Sequence, residues 1–252
     1  MNHFFIAKPK IIAIPFAGGN QYSFKTIEKY IQKDIEWVTV ELPGRGGRFS
    51  EQSLDAIHLM VADLFDQILP HIKEGPYMIY GHSMGTLLGY ELTKKIVEAK
   101  MRLPKCLFFT GRSAPSVLTK KKRSILPKTL FWKEVYDIGG LPTEILDNKD
   151  LLDLYYPILK SDFKAIEDYE YITQEQPFSF PIYVCMGTEE VGEDHNQQTI
   201  EEIMAWDNET KSLCGPELLE GDHFFILKSP QIIAQKIVKA YRTNSVLRTS
   251  FK

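Results

Sequence analysis

The 252-residue chain predicts an α/β fold: a mostly parallel sheet flanked by helices, with a helical insertion near one end of the sheet. Three observations carry that expectation. Short apolar runs recur that are continuous rather than alternating, as strands covered by helices on both faces must be. The stretches between them repeat apolar residues at helical spacing. One interval of about seventy residues, Gly111 to Phe180, holds helical patterns and no strand, and a structureless loop of that length does not suit a compact domain.

The first run is Ile11-Ile12-Ala13-Ile14, and the second is Trp37-Val38-Thr39-Val40. Between them Phe24, Ile27, Tyr30 and Ile31 share one helical face. Leu54, Ile57, Val61, Leu64, Phe65 and Ile68 mark a longer helix before the third run, Tyr77-Met78-Ile79-Tyr80. The helix after Ser83 is apolar almost all round at its start, through Met84, Leu87 and Leu88, as for a helix laid on a sheet. Cys106-Leu107-Phe108-Phe109 and Ile182-Tyr183-Val184-Cys185 complete the runs. The interval between these last two carries Leu130, Phe131, Val135 and Tyr136, then Leu151 to Leu159, and reads as a helical insertion. Ser229-Pro230 is an N-cap followed by proline at the first helical position, and Ile233, Ile237 and Tyr241 continue that last helix. The tail from Thr243 to Lys252 is expected to fray.

Composition excludes several classes. Hydrophobic residues are 44% and charged residues 25%, which is globular rather than fibrous or disordered. A net charge of -3 provides no field for nucleic acid or an anionic membrane. No apolar run approaches the roughly 18 residues of a membrane span, and the N-terminus lacks a signal peptide's apolar core. The three cysteines, Cys106, Cys185 and Cys214, form no metal-binding pattern. A cytoplasmic protein with reduced thiols, and with neither metal nor organic cofactor, is the expectation.

Gly81-His82-Ser83-Met84-Gly85 joins the third strand directly to a helix. A G-x-S-x-G turn in that context forces a strained backbone on the serine and raises its hydroxyl at the C-terminal edge of the sheet. Ser83 is therefore the candidate nucleophile, with the Met84 amide as an oxyanion donor. A serine needs a base. Of the six histidines, His223 lies between the last strand and the C-terminal helix, and the order Ser…acid…His fits. His82 lies in the elbow and is expected to point away from Ser83, while His3, His58, His71 and His195 lie elsewhere. The orienting acid belongs after the strand ending at Gly187, where Glu190 is favoured over Glu189 and Asp194. The loop Pro15-Phe16-Ala17-Gly18-Gly19-Asn20 supplies the second oxyanion donor, assigned to the Ala17 amide.

With these pieces in order, the chain resembles the type II thioesterases that accompany non-ribosomal peptide and polyketide synthases. The resemblance rests on Pro15-Phe16-Ala17-Gly18-Gly19, Leu42-Pro43-Gly44-Arg45, Gly81-His82-Ser83-Met84-Gly85 and Gly111-Arg112-Ser113-Ala114-Pro115. It extends through Leu141-Pro142-Thr143-Glu144, Pro157-Ile158-Leu159-Lys160-Ser161-Asp162 and Gly221-Asp222-His223-Phe224-Phe225. Two departures are Phe16, where a histidine is frequent, and a glutamate where the family pattern has aspartate. The resemblance implies one α/β-hydrolase domain over 1–252 with a helical lid at 116–171. It implies hydrolysis of acyl groups from the phosphopantetheine arm of an acyl- or peptidyl-carrier protein, by an enzyme that clears misprimed or stalled chains; a monomer is the separate expectation, with the oligomeric state left open by the sequence. Two other readings stay open: an esterase or acyltransferase acting on small substrates, and a non-catalytic carrier-binding module. The run Thr119-Lys120-Lys121-Lys122-Arg123 is either a solvated loop or a docking patch for an acidic carrier helix.

Overall fold

The computed structural model describes residues 8–139, 147–194 and 197–246. Its sheet has six strands: β1 (Lys10–Ile14), β2 (Glu36–Thr39), β3 (Tyr77–His82), β4 (Leu107–Thr110), β5 (Ile182–Gly187) and β6 (Leu213–Leu219). Their order is β2-β1-β3-β4-β5-β6, and every neighbouring pair is parallel. The sheet and its flanking helices are those the apolar runs predict. β6 is not among those runs because Gly215, Pro216 and Glu217 interrupt it. It lies at the sheet edge, where a proline removes no ladder bond that the strand needs.

Alternate residues of each strand leave for opposite faces. Ile12, Ile14, Tyr77 and Ile79 pack with α2 (Ile57–Glu74) and α3 (Met84–Glu98) on one side. Ile11, Ala13, Met78 and Tyr80 pack on the other side with Phe24, with Ile27 of α1 (Lys25–Glu28), and with Ile233 and Ile237 of the C-terminal helix (Pro230–Val246). A buried Ile or Leu contributes about 1.5–3 kcal/mol relative to exposure, so continuous apolar strands require both layers. The first helical face is shorter than its spacing predicts, because α1 ends at Glu28 and leaves Tyr30 and Ile31 in turns. Leu54 precedes α2 rather than lying on it.

Among the described residues the interval between β4 and β5 carries α4 (Lys128–Ile138) and α5 (Lys149–Glu167). Phe131, Trp132, Val135 and Leu159 form a small core of their own there, and Ala17 packs against it. The Leu141–Glu144 motif lies outside the described residues. At the C-terminus the fraying expected from Thr243 to Lys252 is corrected for 243–246, and 247–252 lies outside the described residues. The helix runs on to Val246, where Asn244 is buried and donates to Tyr183 Oη at 3.0 Å and to Ala240 O at 2.8 Å. No helix among the described residues is long and apolar enough to cross a membrane.

Strand order reverses between β1 and β3, since β2 lies outside β1. In open α/β sheets such a switch point opens a crevice at the carboxyl ends of the strands, where ligands bind. The loop after β1 and the elbow after β3 meet there.

Candidate active site

From Tyr77 to Tyr90 every residue is buried except Ser83. The elbow does this with a positive backbone angle: Ser83 has φ 55° and ψ -115°, a conformation few L-residues adopt. The Ser83 amide donates to Thr110 O at 2.9 Å, which ties the turn to the end of β4. Oγ of Ser83 is 2.9 Å from Nε2 of His223. The other ring nitrogen, Nδ1, hydrogen-bonds Oε1 of Glu190; a carboxylate there selects the neutral tautomer with its proton on Nδ1, which leaves the Nε2 lone pair for the serine.

Glu190 closes a single helical turn after β5, is buried, and folds back so that Oε2 accepts from the Gly187 amide at 2.9 Å. That bond compensates for the longer glutamate side chain by fixing its carboxylate plane. Glu189 and Asp194 are exposed and make no bond to His223. Of the sequence-predicted site residues the structure thus brings Ser83, His223 and Glu190 together in one line. His58 and His71 lie on α2, away from the line, and His195 lies outside the described residues.

His82 points away from Ser83, as expected, and has a supporting place. Its ring is wholly buried, its Nδ1 pairs with Thr110 Oγ1 at 2.9 Å, and its centroid lies 5.0 Å from that of His223. Phe16 and Phe224 close the same aromatic cluster, with rings 5.8 and 5.6 Å from His82. Burial first, and the neighbouring His223 second, push the His82 imidazole well below its ordinary 6.5, so it stays neutral. The unfolded chain therefore takes up a proton below about pH 6.5 that the native protein refuses, and stability falls as pH drops from there. The expected slope from this group is about 1.4 kcal/mol per pH unit. Urea unfolding of wild type and His82→Asn at pH 7 and pH 5 checks it. The variant is expected to lose less stability over that interval, and equal losses would refute the assignment.

Among the loop amides, Gly18 donates to Asp162 Oδ2 at 2.7 Å, Gly19 to Phe16 O at 2.9 Å and Asn20 to Ser23 Oγ at 2.8 Å. The Ala17 amide has no acceptor among the described residues, and neither has the Met84 amide at the start of α3. Both predicted donors are therefore unspent. The cavity that Ala17 and Ser83 border, about 710 Å³, is walled on the insertion side by Val117, Val135, Ile138, Leu159, Phe163 and Ile166. Arg112 also lines it and finds no carboxylate among the described residues. Burial lowers its guanidinium to about 10, so it is still charged at neutral pH.

The basic run at the cavity rim pairs with acids of the same chain. Lys120 pairs with Glu202 at 3.1 Å, Lys121 with Glu134 at 2.5 Å, Lys122 with Asp168 at 3.7 Å and Arg123 with Glu134 at 3.5 Å. Four cations thus share three carboxylates, with Glu134 serving both Lys121 and Arg123.

A family model described as a thioesterase domain matches residues 9–241. The chain belongs to the thioesterase family. This thioesterase is 31% identical over 237 residues to the gramicidin S biosynthesis protein GrsT of Aneurinibacillus migulanus, covering 94% of the chain and 90% of GrsT. Among solved structures it superposes on ClbQ from the colibactin NRPS/PKS pathway with a TM-score of 0.88 at 25% identity, covering 96% of the chain and 100% of ClbQ. YbtT, a type II thioesterase from the yersiniabactin NRPS/PKS pathway, matches with a TM-score of 0.81 at 25% identity over 94% of each chain. The thioesterase has the α/β-hydrolase fold, and it is a hydrolase acting on thioesters.

Sequence reasoning missed two parts of the thioesterase site. One is the Gly187 amide that holds Glu190. The other is a buried ion pair between Arg45 and Asp162 that reaches the β1 loop. Both residues stand in motifs singled out above, but 117 positions separate them and nothing local links the two.

Proposed function

We propose that this thioesterase releases acyl groups from the phosphopantetheine arm of a carrier protein through an acyl-serine at Ser83, and that misprimed or stalled chains are its substrates. The observation that carries the reading is the Ser83–His223–Glu190 line at an acyl-sized cavity whose wall on the insertion side is apolar. Likeness to GrsT, ClbQ and YbtT supports the carrier-bound setting.

The chemistry follows from that line. His223 Nε2 takes the hydroxyl proton while Oγ attacks the thioester carbonyl, and the Met84 and Ala17 amides hold the oxyanion. The carbon–sulfur bond breaks, and the thiolate takes the proton back from Nε2. A water molecule then gives its proton to Nε2 and its oxygen to the acyl carbon. The bond to Oγ breaks, Oγ recovers its proton and the free acid departs. Glu190 keeps the Nδ1 proton in place and balances the imidazolium at each step.

Acetyl- and longer acyl-phosphopantetheinyl carrier protein, followed by intact-protein mass spectrometry, tests the reading. Wild type is expected to strip the acyl group. Glu190→Gln is expected to slow kcat by about 10⁴-fold with little change in KM, because the amide cannot stabilise the imidazolium. Cleavage of simple esters with every carrier-bound chain left intact would assign the protein to general ester hydrolysis instead.

A further inference from the structure

Asp162 lies on α5 of the insertion and is wholly buried. Its two oxygens take both terminal nitrogens of Arg45, at 2.6 and 2.7 Å, in the paired geometry that fixes a carboxylate in direction as well as place. Arg45 is itself 2% exposed. Oδ2 of the same carboxylate also accepts from the Gly18 amide at 2.7 Å. One side chain thus joins three segments far apart in sequence: the β1 loop, the Leu42–Arg45 turn and the inserted helix.

The consequence for the β1 loop is geometric. The Gly18 bond fixes the Ala17–Gly18 peptide plane, and the Gly19 bond to Phe16 O fixes the Phe16–Ala17 plane. In a trans peptide N–H and C=O point in opposite directions. The carbonyl of Phe16 faces Gly19, so the Ala17 N–H is turned outward from the turn. Helix α5 also crowds the loop directly. Gly18 has φ +75°, and a Cβ there would lie 2.8 Å from Leu159 Cδ2.

We propose that Asp162 is a positioning residue for the reaction: the Gly19 bond holds the peptide plane that carries the Ala17 N–H, and Asp162, from the inserted helix, holds the next plane through the Gly18 amide, so that Ala17 is clamped on both sides as oxyanion donor. The inserted helices are then part of the catalytic frame and not only a cover, because moving α5 away releases the Gly18 amide. This inference rests on the acyl-serine reading above.

Asp162→Ala alone leaves a buried guanidinium unpaired, and loss of folding would explain any result. The informative variant is Arg45→Met with Asp162→Leu, because replacing a buried ion pair by apolar residues of similar volume is often neutral or stabilising. The double variant is expected to melt near wild type, to keep KM for acyl-carrier protein within about twofold, and to lose about 10²–10³-fold in kcat, the effect of one oxyanion donor. Its affinity for an alkyl boronic acid, which forms a tetrahedral adduct on Ser83, should fall by the same factor. Arg45→Met with Asp162→Asn removes the buried charge but keeps an oxygen for the Gly18 amide, and should retain most of the boronate affinity. A folded Arg45→Met, Asp162→Leu variant with kcat and boronate affinity within about threefold of wild type would overturn the positioning role alone. Failure of wild type to form the Ser83 adduct would overturn the acyl-serine reading and this role with it.

Discussion

Ser83→Ala is expected to lower kcat for acyl-carrier hydrolysis by about 10⁶-fold while the folded state persists. The size follows from the geometry. Oγ is the atom that His223 Nε2 faces at 2.9 Å, and no other hydroxyl bonds to that nitrogen among the described residues. The three groups act as a unit, so the Ser83→Ala, His223→Ala double variant should be no slower than Ser83→Ala alone. What survives comes from binding and from the amides of Met84 and Ala17. Stability should not fall with activity, because the alanine side chain removes one partly exposed oxygen and relieves nothing in the core. Intact-mass detection of acyl groups on the carrier, with melting curves beside it, checks both halves. Multiplicative losses in the double variant would mean that serine and histidine work independently.

Gly85→Ala is the second large effect, and it strikes the fold. A Cβ at Gly85 would lie 2.0 Å from Ile14 O and 2.7 Å from Pro15 O, both backbone atoms at the end of β1. Neither can swing aside as a side chain can, so β1 and the start of α3 must part. Overpacking typically costs about 1–3 kcal/mol, and contact with strand backbone places this substitution at the upper end. For a chain of this size that is a melting temperature lower by about 6–12 °C. The separation also moves the Met84 amide away from the β1 loop, so activity should fall further than stability alone explains. Activity per folded molecule, measured well below the melting transition, separates the two. A variant with wild-type melting and turnover would mean that the close packing of α3 on β1 is not required.

The sheet was legible because its signal is local. Ile11–Ile14, Tyr77–Tyr80 and the other runs are continuous, apolar and short, and strands buried on both faces leave no other pattern. β6 escaped because an edge strand tolerates Gly215, Pro216 and Glu217, and those residues erase the signal. The extent of the last helix escaped because Thr243 and Asn244 look like a frayed end, until Tyr183 supplies a partner from the sheet.

The candidate site divides along the same line. Ser83 and Met84 are readable from five consecutive residues, since a G-x-S-x-G turn between strand and helix has one conformation to adopt. His223 is readable from chain order. The choice among Glu190, Glu189 and Asp194 is not. All three are acids in one loop, and only the fold-back onto the Gly187 amide brings one of them to His223. The bond between Asp162, Arg45 and Gly18 is less visible still, because it joins positions 117 and 144 residues apart. Local patterns carry hydrophobic periodicity and turn chemistry, which act over a few residues. Which carboxylate meets which ring or amide depends on how separate elements pack, and that appears only when the chain is closed into its tertiary structure.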